Sequence, residues 1–237
     1  MLMKILTIAL LFAHLSQAAF AQHSPVSSEI ISAKQIAVVI NPSIKETLKL
    51  TYPIRRVYHY TDKSGEYYCI LTESEDSTNS DHDILHFHIR AVDVRVDTGG
   101  FQKVWECNDY IDRRTEECNM WFWTRYISFK DLDNDSLIDP VIIYGTSDRQ
   151  ADDDGGRLKL LIYYKGRKVA IRHQDCSLDE GRFTKVDAAF YDLPSSRQEA
   201  IEKTMKQIED DGNSLFPGYW LKAMKNRKTE FDAGQGA

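Results

Sequence analysis

The chain has 237 residues, 42% of them apolar and 28% charged, and carries a formal net charge of −6. That acidity argues against nucleic acid as a partner, since a phosphate backbone is bound through clustered cations. The apolar fraction suffices for an ordinary core, which excludes a disordered chain.

At the amino end, Lys4 precedes an apolar run from Ile5 to Leu15, followed by Ala19-Phe20-Ala21. A bilayer span takes roughly 18 apolar residues or more, so this run is too short, and the alanines around Phe20 form a small-x-small cleavage site. Residues 1–21 are expected to be a signal peptide, and the mature chain to be periplasmic or secreted. Processing removes one cation, Lys4, and no acid, leaving about 216 residues and a net charge of about −7. No later run is long enough for a transmembrane anchor. The expected organisation is a flexible lead-in over 22–35 and a single β-rich domain over 36–237, with a helical segment at 195–228.

In chain order, Ile36-Ala-Val-Val-Ile40 reads as a short buried strand ended by Asn41-Pro42. VYHYTD, the turn Lys63-Ser64-Gly65 and EYYCILTES form a hairpin pattern, rich in tyrosine with glycine at the connection. Residues 74–82 read as a polar loop. From Asp83 to Val96, Leu85, Phe87 and Ile89 share one parity and Val92, Val94 and Val96 the other, which predicts a bulge near Arg90-Ala91. Thr98-Gly99-Gly100 turns into QKVWEC, and NMWFWTRYISF, PVIIYGT, LKLLIYY and KVAIRH supply further antiparallel strands. After Pro194, Ile201, Met205 and Ile208 fall on one helical face, with i,i+4 pairs Glu199–Lys203 and Glu202–Lys206. A second, shorter helix is expected within LFPGYWLKAMKNRK. The fold class predicted is α+β: a mainly antiparallel sheet or sandwich with one or two carboxy-terminal helices.

The segment Asp131-Leu-Asp133-Asn-Asp135-Ser-Leu137-Ile-Asp139 places carboxylates at positions 1, 3, 5 and 9 and a backbone carbonyl at position 7. Calcium takes six to eight oxygens, and closely spaced aspartates on a tight turn provide them. The loop resembles the D-x-D-x-D-G-x-x-D calcium loops of integrin-type FG-GAP repeats and is similar to dockerin and EF-hand loops. It departs from them at position 6, where Ser136 replaces glycine and makes a left-handed turn costlier. Position 12 is Ile142, where an EF-hand has a bidentate acid. The strand-like flanks favour the FG-GAP-like form, with Asp131, Asp133, Asp135, Leu137 and Asp139 as the ligands of a stabilising calcium ion. More widely, residues 126–194 resemble a group of uncharacterised exported bacterial proteins labelled as surface-polysaccharide biosynthesis factors.

Cys69, Cys107, Cys118 and Cys176 follow the signal, an even number in a compartment where disulfides persist. Three pairings are possible. The polar stretch between Cys107 and Cys118 looks like a hairpin loop bridged at its base, which favours 107–118 and, by elimination, 69–176. Asp81, His82, Asp83, His86 and His88 could gather around a second metal, although the alternation with Leu85, Phe87 and Ile89 also fits a solvent face. Asp152-Asp153-Asp154 reads as a solvated turn or an extra cation contact. Trp105, Trp121, Phe122 and Trp123 offer a carbohydrate or protein contact surface, with Trp121 and Trp123 on the face opposite Phe122.

No nucleophile elbow, zinc-protease motif or phosphate loop is present, and scattered carboxylates leave a glycosidase open without pointing to it. Two function classes compete. One is a non-enzymatic periplasmic binding protein acting through a protein partner, such as an immunity protein or inhibitor against an envelope-targeted toxin. The other is an accessory factor in surface polysaccharide biosynthesis or glycan binding.

Overall fold

The computed structural model describes residues 26–112, 114–148 and 155–233. The expected signal peptide and Asp152-Asp153-Asp154 lie outside the described residues. The first half supplies β1 (Ser27–Ile30), α1 (Ala33–Val39), α2 (Pro42–Thr47), β2 (Ile54–Asp62), β3 (Gly65–Glu73), β4 (Ser77–Thr78), β5 (Ile84–Leu85), β6 (His88–Asp97) and β7 (Gly100–Tyr110). The second half supplies β8 (Glu117–Phe122), β9 (Ser128–Lys130), β10 (Asp139–Asp148), β11 (Gly156–Tyr164), β12 (Arg167–Asp175), β13 (Phe183–Val186), α3 (Ser195–Asp210), α4 (Trp220–Lys225) and β14 (Glu230–Asp232).

Two antiparallel sheets result. The first runs β1-β2-β3-β6-β7 and the second β14-β13-β12-β11-β10-β8, with β9 also on β10 and β4-β5 a separate ribbon. Their inner faces meet through Tyr58, Tyr60, Cys69, Leu71 and Ile89 on one side and Met120, Phe122, Ile142, Tyr144 and Leu161 on the other. The α+β sandwich expected from the sequence is the fold observed. Its outer faces are also covered. Ile40 and Leu48, around α1 and α2, pack on Val57, Ile70, Val92 and Val94 of the first sheet. On the second sheet, Ile201, Met205 and Ile208 of α3, with Trp220 and Met224 of α4, cover Ile143, Leu160, Ile162 and Ile171.

This layering explains two departures from the sequence reading. Residues 36–40 lie in and just beyond helix α1, not in a strand: Ser32 Oγ accepts from the Gln35 N–H at 3.4 Å, and Gln35 Oε1 accepts from the Ser32 N–H at 2.8 Å. Asn41 caps α2 in turn, with Pro42 in its first turn. These caps outweigh the β-branched run. The double phase over 83–96 comes from burial on both faces of β6, where Ile89 and Ala91 face the inner core and Val92 and Val94 the α1–α2 layer. The register shift between β6 and β7 falls opposite Asp93/Val94, where β7 carries Val104 as the extra residue, and not at Arg90-Ala91. Part of the expected lead-in is ordered as well, since β1 pairs with β2.

All four cysteines are free thiols. The 107–118 and 69–176 bridges are not made: Cys107 is buried between the sheets, whereas Cys118 Sγ lies 3.7 Å from Ser147 Oγ. Cys69 sits in the inter-sheet core, while Cys176 contacts Gly181 beyond the end of β12. Charge ties the sheets where the first bridge was expected. Asp109 of β7 meets Lys159 Nζ at 2.6 Å and Arg157 Nη1 at 3.3 Å, both on β11, and accepts from Tyr144 Oη at 3.0 Å. Arg157 also grips Glu117 of β8, through Nε at 2.5 Å and Nη2 at 2.8 Å.

Burial alone would raise the Asp109 carboxyl, but Lys159 and Arg157 outweigh it and hold the group below its ordinary value of 3.8. A depressed acid contributes stability that is present above the ordinary carboxylate range and lost as pH falls through the folded value. Asp109→Asn is therefore expected to cost about 1.5–3 kcal/mol at neutral pH and to blunt the acid sensitivity below pH ~4. Denaturant unfolding of both proteins across that pH range measures this. Parallel pH curves would assign the acid loss to other carboxylates.

Candidate metal centre

The acidic loop joins β9 to β10 and is wound by its own aspartates. Asp131 accepts from the Asp135 N–H at 3.1 Å and the Ser136 N–H at 2.8 Å, while Asp139 accepts from the Leu132 N–H at 2.9 Å. Asp135 caps the Leu137 N–H at 2.9 Å. Asn134 and Ser136 are left-handed, with φ of 59° and 65°, so Ser136 adopts the backbone that glycine provides in similar loops. The β2–β3 turn of the opposite sheet holds the loop from outside. Asp62 accepts from the Ile138 N–H at 3.0 Å, the Lys63 N–H donates to the Ser136 carbonyl at 3.1 Å, and Lys63 Nζ donates to the Asp135 carbonyl.

Among the described residues, one group of carboxylates converges as metal ligands do. Oxygens of Asp131, Asp133 and Asp139 lie within 4.8 Å of one another, the span of two oxygens at about 2.4 Å on opposite sides of calcium. Asp135 is not in this trio. Arg197, from the first turn of α3, already reaches the cluster. Its Nη1 lies 2.6 Å from Asp139 Oδ1 and its Nη2 2.9 Å from Asp133 Oδ1, with Asp135 Oδ2 at 3.9 Å. The residue is 1% exposed, and its guanidinium stacks on the Tyr164 ring at 3.8 Å. The contacts are close but poorly aimed, since Arg197 Nε and Nη1 and Asp133 Oδ1 make no well-angled hydrogen bond. Charge, more than directed bonding, holds the guanidinium there.

One guanidinium does not neutralise four aspartates. Burial pushes Asp139 up to about 7, and the negative charges of Asp133 and Asp135 add to that rise despite the Leu132 N–H and Arg197. Asp133 shifts the other way: burial raises it, and Arg197 more than reverses the effect. Oxygen donors at this spacing match what a divalent cation takes, and a cation bound here would share Asp133 and Asp139 with Arg197 or displace it.

Sequence reading missed Arg197, though a signal was present: residues 197, 201, 205 and 208 share one helical face, so a lone arginine stands on an apolar stripe. The histidines do not assemble into a metal site. His88 stacks between Tyr52 and Tyr110, with ring centroids at 5.7 and 6.5 Å, while His86 turns toward Glu73. The tryptophans also divide. Trp105 stacks on Tyr163 at 3.7 Å, Trp121 and Trp123 lie 6.3 Å apart, and Phe122 is buried between the sheets, as the alternation requires. Compared with known proteins, the chain matches no family model, no curated protein and no solved structure.

Arg197→Ala is expected to destabilise the protein in chelator by about 3–5 kcal/mol, because it strands buried carboxylates. Millimolar calcium should return part of that loss, as measured by denaturant unfolding with and without the ion. A cost below about 1 kcal/mol would show a loop indifferent to the guanidinium. A cost untouched by calcium would show that the ion does not take its place.

Proposed function

We propose that the chain is an exported, calcium-stabilised, non-enzymatic binding protein of the periplasm. It acts through a protein partner, in the manner of an immunity protein or inhibitor against an envelope-targeted toxin. The observation that carries the protein-partner reading is the edge of the first sheet. Strand β7 is 11 residues long and, among the described residues, pairs on one side only, with β6. Its other edge makes no strand pairing among the described residues, Arg157 Nη2 donates to the Tyr110 carbonyl at one end, and Val104 at 50% and Tyr110 at 62% exposure stand on the strand. An edge of that length is a template for strand addition, in which the main chain supplies affinity and alternate side chains supply selectivity.

The acidic loop supports calcium in a stabilising role. Three carboxylates converge there, and Asp62 of the β2–β3 turn anchors the loop through the Ile138 N–H. No helix among the described residues is long and apolar enough to cross a membrane, which accords with a chain that works without a helical anchor.

Affinity capture with tagged mature protein, in calcium, from envelope extracts of the source organism tests this reading. A stoichiometric protein partner is expected. Its yield should fall at least about tenfold when Val104→Lys and Tyr110→Lys charge the β7 edge. Capture unaffected by those changes would move the interface elsewhere, and absence of any enriched protein would sink the reading.

A further inference from the structure

A cavity of about 600 Å³ opens between the start of β2, the end of β3, strand β8 and the β4–β5 ribbon. It lies within the roughly 300–1,000 Å³ range of small-molecule sites. Glu73, at the end of β3, is 4% exposed and lines it. One of its oxygens accepts from the Phe122 N–H at 2.9 Å. The other stands 3.5 Å from Arg55 Nε and 3.7 Å from His86 Nε2. His86 Nδ1–H donates to the Ser74 carbonyl, which fixes the ring and turns Nε2 toward Glu73. At 3.7 Å the pair is too far apart for a direct hydrogen bond and spaced for a bridging hydroxyl. Asn119 accepts from the His86 N–H at 2.9 Å through its oxygen, leaving its amide nitrogen for a ligand. Trp121 completes the lining and also borders a second cleft of about 350 Å³.

We infer that this cavity is a saccharide-binding site, with Trp121 as the stacking platform and Glu73, His86, Arg55 and Asn119 as the hydroxyl-reading groups. A sugar presents donors and acceptors around a ring with apolar C–H faces, and the cavity offers both kinds of polar group beside a flat aromatic surface. The sign of charge narrows the class. Glu73, Glu75 and Asp83 outnumber Arg55 in the lining, so neutral and N-acetylated sugars fit and acidic sugars do not. Two clefts share Trp121 in their lining, which suits a chain of sugar units more than a single one. Burial raises the Glu73 carboxyl despite the Phe122 N–H, His86 and Arg55. The site lies apart from the β7 edge and does not depend on the protein-partner reading.

The test is calorimetry on the calcium-loaded mature protein with chitotetraose, maltotetraose, cellotetraose and, as an acidic probe, tetragalacturonate. At least one of the first three should bind with a Kd below about 10 mM, and tetragalacturonate should not. Trp121→Ala should weaken binding at least about tenfold, and so should Glu73→Gln. Arg55→Ala, whose side chain is 59% exposed, provides a variant that spares the core if either of those fails to fold. No binding by any neutral probe, preference for the acidic one, or affinity unchanged in the folded variants would overturn the inference.

Discussion

The burial of Arg197 against the acidic loop is the constraint on which the carboxy-terminal half of the molecule is arranged. A guanidinium that is 1% exposed cannot be left unpaired, and four aspartates wound into one turn repel one another unless something positive stands among them. Each group makes the other tolerable. Because Arg197 belongs to α3, their meeting fixes where the helix lies on the second sheet, and Ile201, Met205 and Ile208 follow it into the core. Because Asp62 and Lys63 grip the same loop from the hairpin of the first sheet, the turn also sets how the sheets face one another at that end.

The parts of this structure that were legible in the sequence are those where one local pattern had one explanation. The β2–β3 hairpin, the strands on either side of Lys165-Gly166 and the apolar stripe of α3 all appear as the residue spacing predicts. The failures arise where tertiary burial gives a second meaning to the same pattern. Val92 and Val94 looked out of phase with Ile89 because a strand covered on both faces has no polar side to keep its register visible. Residues 36–40 looked like a strand because the capping box that begins their helix sits outside the apolar run.

The candidate site was half legible for a related reason. Spacing between aspartates is local information, so the loop could be read directly, whereas the left-handed backbone at Ser136 stands where the sequence made it costly. The guanidinium that shares it comes from 58 residues beyond Asp139, and only its misfit with the apolar face of α3 marked it. The Glu73–His86–Trp121 cavity was less visible still, since its walls come from both sheets and from the ribbon between them. No spacing rule spans those segments.

The free thiols carry a consequence of their own. Cys69 and Cys107 lie in the inter-sheet core, where burial raises both, Cys69 well above the ordinary thiol value and Cys107 to about 11. A thiol held protonated and shielded is a poor nucleophile for disulfide exchange. The cohesion of the sandwich therefore rests on packing and on the Asp109–Arg157–Glu117 ties, neither of which a change of redox poise can make or undo. Oxidation or reduction of the surroundings thus does not reach the two thiols of the inter-sheet core.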